Sequence, residues 1–289
     1  MSLAVLGGSG QALAAVILAF AASCGGDGES GENTIEVSSW SYIADHICTD
    51  ISAIPITWIQ SVQEGIRLHY AHTSHGSQLT IGLESIAEGT ASHGVEIEYC
   101  NLPGQSGELC IFDGQPGETY ISPDLFWETD EGLDMTRDVL DRNPSINVCM
   151  WAWCSQLDYY GAGEVATYLS AMSTLESEYP DVTFIYMTGN AQASGAEGYN
   201  RFLRNNQIRD YCERGGLALF DFADLDCWRL NPSSGEWQHS TYTYDGVEIP
   251  VEHQAFSGDE AGHTTVESCR QKGQALWWLL AVIAGWSGN

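Results

Sequence analysis

Five short runs of apolar, β-branched and aromatic residues punctuate the chain: Ile66–Ala71, Val95–Cys100, Ile146–Ala152, Thr183–Thr188 and Leu217–Phe222. Polar turns bound each run, which reads as a set of buried strands. Helical spacing fills the gaps. Ser77–Glu88 lies between the first two runs, and Thr136–Arg142 precedes the third and stops at Asn143-Pro144. Val165, Tyr168, Leu169, Met172 and Leu175 trace one helix face until Pro180 ends it. Tyr199–Arg214 runs into the stop signal Gly215-Gly216. The closing segment Gly273–Trp286 is apolar on nearly every side, but 14 residues are too few to span a bilayer. It reads as a buried helix.

Strand alternating with helix predicts an α/β protein: three α/β/α layers around a mainly parallel five-stranded sheet, in a single domain over residues 40–289. Two insertions interrupt the rhythm. Residues 101–133 read as a long loop rich in Gly, Pro and aromatics. Residues 229–262 hold a predicted hairpin, Thr241–Tyr244 and Val247–Val251 around Asp245-Gly246.

The front of the chain follows another pattern. Residues 1–23 carry no charge, and Ala12–Ser23 is a small-residue apolar run of 12 positions, the length of a signal core. It ends in Ala21-Ala22-Ser23-Cys24, which resembles a bacterial lipobox. That resemblance implies a lipoprotein signal peptide over residues 1–23 and acylation of Cys24. Residues 24–39 then form an acidic, glycine-rich tether. The expectation is an exported protein, lipid-anchored in a bacterial cell envelope or extracellular. Setting Cys24 aside leaves eight cysteines, an even number that reads as disulfides in an oxidising compartment. Cys100 and Cys110 bracket one short loop that a disulfide could close. Zinc is disfavoured, since the chain contains no Cys-x-x-Cys.

In an open parallel sheet, ligands bind outside the carboxyl ends of the strands. The first run ends in His72-Thr73-Ser74-His75-Gly76-Ser77 and leads into a helix. A serine on such a turn is held clear of the sheet, beside helix amides that can meet a developing oxyanion. The later runs end in Asn101-Leu102-Pro103-Gly104-Gln105-Ser106-Gly107, Trp153-Cys154-Ser155-Gln156, Thr188-Gly189-Asn190-Ala191-Gln192 and Asp221-Phe222-Ala223-Asp224. Asp259-Glu260-Ala261-Gly262-His263 precedes the closing helix.

In this order the motifs resemble those of the SGNH (GDSL-type) hydrolases, and more closely a divergent branch of secreted proteins bearing His-Thr-Ser-His-Gly-Ser. The resemblance implies a flavodoxin-like fold and a serine esterase or acyl hydrolase, removing acyl groups such as acetyl from a carbohydrate. It places Ser74 as nucleophile, His263 as base, and Glu260 or Asp224 as the acid orienting it. Gly104 or Gly107, with Gln156 or Asn190, would complete the oxyanion hole, and His72, His75 and Trp153 would line the site. The motifs depart from the family's: His72-Thr73-Ser74 stands for Gly-Asp-Ser, and Glu260 stands where Asp is usual. No metal or other cofactor is called for. Ser77 is a second hydroxyl, one turn into the helix, where bonding to the backbone is its natural use. Trp127, Trp151, Trp153, Trp228 and Trp237 fall in or beside the loops over the site, where flat aromatic faces suit sugar rings and core packing alike. The competing class is a non-catalytic surface lipoprotein that binds a glycan in the same cleft.

Charge narrows the partners. The sequence sets 39 Asp and Glu against 10 Lys and Arg, for a formal charge of −29, and Lys272 is its single lysine. That balance excludes the basic face that nucleic acid needs and leaves the lipid anchor as the only membrane contact. A polyanion would be repelled, so the expected substrate is a small ester or a neutral acylated glycan.

Overall fold

The computed structural model describes residues 42–104 and 107–288. The expected signal peptide, the acylation candidate Cys24 and the expected tether lie outside the described residues. Among those described, no helix is long and apolar enough to cross a membrane.

The protein is α/β, but its central sheet has seven strands and not five. In chain order these are β1 (Ile43–Ala44), β2 (Arg67–His72), β3 (Val95–Tyr99), β4 (Leu109–Asp113), β5 (Val148–Ala152), β6 (Thr183–Met187) and β7 (Leu219–Phe220). They lie side by side as β1-β7-β6-β5-β2-β4-β3, and each neighbouring pair is parallel. The two additional strands have separate reasons for escaping a pattern reading. β1 is two residues long, below any detectable period. β4 is the Leu-Cys-Ile-Phe-Asp run inside the stretch read as a loop, where flanking Gly and Pro mask it. It is wholly buried between β2 and β3.

Helices α1 (Ile56–Gly65), α2 (Ser77–Gly89), α3 (Asp130–Arg142), α4 (Ala162–Glu178), α5 (Gly195–Gly215), α6 (Phe222–Cys227) and α7 (Val266–Ile283) supply the outer layers. α1, α2 and α7 pack together, and α4 packs on α5 and, through Arg137–Glu178 and Tyr179–Asp141 bonds, on α3. Side chains on β2 follow the same division: Tyr70 donates to the Gly76 carbonyl near α2, whereas His69 packs against Phe126 near α3. Two antiparallel ribbons lie outside the sheet, β8 (Trp228–Leu230) with β9 (Trp237–His239) and the expected hairpin β10 (Thr241–Tyr244) with β11 (Val247–Pro250).

α2 and α7 cross with their backbones in contact. A Cβ at Gly82 would stand 2.0 Å from the Cys269 carbonyl oxygen, and one at Gly273 would stand 2.6 Å from the Gly82 carbonyl carbon. Only glycine permits that approach. The crossing brings the segment before α7 onto the first turn of α2, where Gly262 packs against Ser74 and Ser77.

The sole lysine is fully buried. Lys272 Nζ lies 2.6 Å from Asp226 Oδ1, donates to Ser268 Oγ at 2.5 Å, and sits 4.6 Å over the Phe222 ring. The second Asp226 oxygen accepts the Ala191 N–H at 2.8 Å. Removing one partner of such a pair strands the other charge in the interior. Lys272→Met is expected to lose about 3–5 kcal/mol of unfolding free energy in urea titrations. The double variant Lys272→Met/Asp226→Leu should recover a large part of that loss.

Candidate active site

The chain leaves β2 toward β3 and β4 on one side, while β5 lies on its other side, so the crevice between the carboxyl ends of β2 and β5 is a topological switch point. Two segments meet there. After β2, Ser74–Gly76 forms a short 3₁₀ turn that continues directly into α2. Ser74 and His75 therefore occupy the first turn, where backbone amides lack intrahelical acceptors. After β5, Trp153 is buried and Cys154 emerges half-buried at the edge of the crevice.

His75 joins the two. Its Nδ1 is 2.9 Å from Cys154 Sγ, and its Nε2 is 2.8 Å from Gln192 Oε1. Because the amide oxygen can only accept, His75 Nε2 carries a proton. Gln192 is held in that orientation from behind: its Nε2 donates to the His263 carbonyl at 2.5 Å and to Glu252 Oε1 at 3.1 Å. Turning the amide over would set its oxygen against the His263 carbonyl and the Glu252 carboxylate and lose both of those contacts. Cys154 is held through its backbone. Its N–H donates to Gln156 Oε1 at 2.7 Å, and its carbonyl accepts Asn190 Nδ2 at 2.7 Å. Ser74 Oγ stands 3.4 Å from the sulfur.

These contacts set the ionisation of the pair. Burial alone would raise the Cys154 pKa, but the hydrogen bond and positive charge of His75, helped by the Ser74 hydroxyl, bring it down to about 5. Burial likewise opposes charge on His75, yet its bonds to Cys154 and Gln192 raise its pKa above the ordinary imidazole value. Between the two values the pair exists as thiolate and imidazolium. The other shifted thiols go the opposite way: burial pushes Cys48 up to about 12 and Cys269 up to about 11, and Cys149, Cys212 and Cys227 are raised as well.

The residues singled out in the sequence are placed as follows. Ser74 is in the site, against the thiolate. His263 is near it, its ring centroid 4.9 Å from that of His75 and its backbone left-handed at φ 68°. No hydrogen bond joins His263 to Ser74 among the described residues, and its Nδ1 is 3.7 Å from the exposed Asp259. Glu260 turns away to accept the Val266 N–H at the start of α7. Asp224 accepts from both the backbone and Nδ1 of His46, so neither acid touches His263. Gly104 and Gly107 belong to the crossover that returns the chain to the amino end of β4, where the Gly104 carbonyl accepts from Cys110. The structure does not bring them to Ser74. Gln156 and Asn190 are in the site as the supports of Cys154 just described.

His72 lies beside Ser74, paired with buried Asp113 at 3.1 Å. Trp153 is 1% exposed and, with Trp127 and Trp151, packs into an aromatic core around Tyr168, so these rings offer no face to a ligand. Trp228 and Trp237 instead enclose the His46 ring. His46, Asp45 and Asp224 form the one grouping among the described residues whose ligand atoms lie close enough, within 4.8 Å, to hold a cation. Burial and the neighbouring Asp224 push Asp45 up to about 6, and the short His46–Asp224 bond already closes the group.

The pairing of Cys154 with His75 was missed in the sequence because all eight cysteines read as disulfide partners. In the structure the eight are free. Cys100 and Cys110, the expected loop closure, bond instead to the separate carbonyls of Glu118 and Gly104. A usable signal was present: Cys154 lies just beyond the end of an apolar run, the place where an α/β sheet exposes its chemistry.

Alkylation by iodoacetamide, mapped by mass spectrometry, is expected to modify Cys154 with an inflection near pH 5, the rate staying high as pH rises to neutrality because the thiolate persists above its pKa. His75→Ala should shift that inflection upward by several pH units and leave Cys154 slow at pH 6. The chain matches no known protein-family profile and no curated protein sequence.

Proposed function

We propose that the protein is a cysteine-dependent acyl hydrolase in which Cys154 is the nucleophile, His75 the acid–base group and Gln192 its orienting partner. The observation that carries this reading is the continuous line from Cys154 Sγ through both nitrogens of His75 to Gln192 Oε1, at 2.9 and 2.8 Å. The chemistry asks for an activated nucleophile, a base fixed in one tautomer and donors for an oxyanion, and each is at hand.

The thiolate attacks the carbonyl carbon of an ester. A C–S bond forms and the carbonyl electron pair moves to oxygen, facing the free first-turn amides of Ser74 and His75 and the amide nitrogen of Gln156. Collapse expels the alcohol oxygen, which takes the proton from His75 Nδ1. The resulting thioester is attacked by a water that gives its proton back to Nδ1. The acid leaves and the thiolate–imidazolium pair returns. Gln192 holds the imidazole ring throughout and keeps Nε2 protonated, so the proton exchanged in each step is the one on Nδ1, the side facing sulfur.

Sheet order supports a flavodoxin-like ancestry for this site. Without the inserted β4 and the edge strand β1, the order β3-β2-β5-β6-β7 corresponds to 2-1-3-4-5. In this reading the enzyme is exported and held at the envelope through Cys24, on the strength of the Ala-Ala-Ser-Cys motif.

The contact of Ser74 Oγ with the sulfur favours a second reading, in which the serine attacks and His75 or His263 serves as base. Hydrolysis of p-nitrophenyl acetate separates the two. Cys154→Ala is expected to lower kcat by about 10³-fold or more, with Ser74→Ala costing about tenfold or less. The reverse ranking, together with labelling of Ser74 by a fluorophosphonate, would move the assignment to the serine. A wild-type protein that labels with neither reagent and hydrolyses no ester would reduce the site to a binding cleft.

A further inference from the structure

A cavity of about 430 Å³ opens beside the nucleophile, lined by His72, Thr73, Ser74, Ser77, Tyr99, Thr119 and Tyr120. Its chemistry is set apart from that of the surrounding molecule. In a chain of net charge −29, no Asp, Glu, Lys or Arg among the described residues lines it. Its single histidine, His72, is turned to buried Asp113. Among the same described residues, no Leu, Ile, Val, Met or Phe lines it either. What remains is a set of hydroxyls and two large tyrosine faces.

Both tyrosines are exposed, Tyr99 by 71% and Tyr120 by 56%, although each sits on fixed backbone. Tyr99 closes β3, and the next residue donates its N–H to the Asp113 carbonyl at 2.8 Å. The turn before Tyr120 is held by Glu118, whose carboxylate accepts the Thr119 and Tyr120 N–H groups at 3.0 and 2.9 Å. The following Ile121 donates to the His72 carbonyl. Two aromatic rings left in water on rigid supports are what a flat, partly apolar ligand needs. Behind them, the buried Thr73 hydroxyl is directed at the Cys154 sulfur, so the cavity wall adjoins the nucleophile.

Elimination then gives the ligand class. A phosphate or carboxylate would find no cation, an amine no carboxylate, and a fatty acyl chain no aliphatic wall. A neutral, polyhydroxylated ring matches each element: its C–H faces rest on tyrosine and its hydroxyls exchange bonds with Ser74, Ser77 and Thr119. We infer that this cavity seats a neutral sugar ring, the alcohol side of the ester that Cys154 cleaves. The inference rests on the acyl-hydrolase reading for the reaction, while the seating of the sugar stands by itself.

The experiment has two arms. In the first, acetate release from an O-acetylated xylo-oligosaccharide is compared with hydrolysis of p-nitrophenyl acetate, in wild type and in Tyr99→Ala/Tyr120→Ala. The ratio of the two kcat/KM values is expected to fall about tenfold or more in the variant. A ratio that does not change overturns the inference. The second arm is independent of chemistry: saturation-transfer NMR on Cys154→Ala with unesterified cello-, xylo-, manno- and chito-oligosaccharides. Binding of one of them that the two tyrosine substitutions abolish supports the cavity assignment even where no ester is turned over, which would count against the reaction alone. Absence of binding to every sugar at about 10 mM overturns it.

Discussion

Lys272 and Asp226 meet in the interior at 2.6 Å, both essentially without solvent exposure. Little in the site would stay in place without that contact. Asp226 spends its other oxygen on the Ala191 N–H, and its backbone carbonyl on the His253 N–H. Glu252 in turn donates its N–H to the Ala191 carbonyl. One buried ion pair thus fixes the residue between Asn190 and Gln192, and beside it the segment that bears Glu252. Asn190 then holds the Cys154 carbonyl, and Gln192 holds His75. An isolated buried charge would be too costly to keep, so the pair and its hydrogen bonds stand or fall together.

The site obeys the same logic at a smaller scale. Burial by itself would leave Cys154 a neutral, sluggish thiol, as it does for the cysteines of the core. The difference is an imidazole at 2.9 Å that is itself kept protonated by an amide oxygen. Glu252 does not touch His75. It acts through Gln192, by fixing which end of the amide faces the ring. Reactivity at the sulfur is therefore built from groups on four segments: Thr73–His75 lowers the pKa of Cys154 directly, and the segments bearing Gln192 and Glu252 hold His75 in place. The glycine crossing of α2 and α7 adds the fifth, laying Gly262 and His263 over the first turn of α2.

Charge has two regimes in this protein. Acidic groups cover the outside, and several of the few cations are spent on fixed pairs such as Arg209 with Asp221 and Lys272 with Asp226. The cavity beside Ser74 is left neutral. An acidic exterior with a neutral pocket disfavours anionic ligands at long range and offers nothing to cations at short range.

The sequence by itself determined the alternation of strand and helix, because a strand is written as a short run rich in apolar, β-branched and aromatic residues and a helix as a stripe. It also put Ser74, His75, Gln156 and Asn190 at strand ends, since polar residues just beyond apolar runs have few other places to lie. It could not show β1, too short to have a period, nor β4, whose apolar run is hidden among turn residues. Nor could it say which cysteine is reactive. That depends on His75 and Cys154, 79 positions apart, being brought to 2.9 Å by neighbouring strands. The roles of Glu260 and Asp224 were decided the same way, since a carboxylate's partner is whichever donor the fold places within reach: the start of α7 for one and His46 for the other. Local pattern is written in consecutive residues, whereas a pKa and a catalytic contact depend on distances through space, and only the tertiary structure sets those.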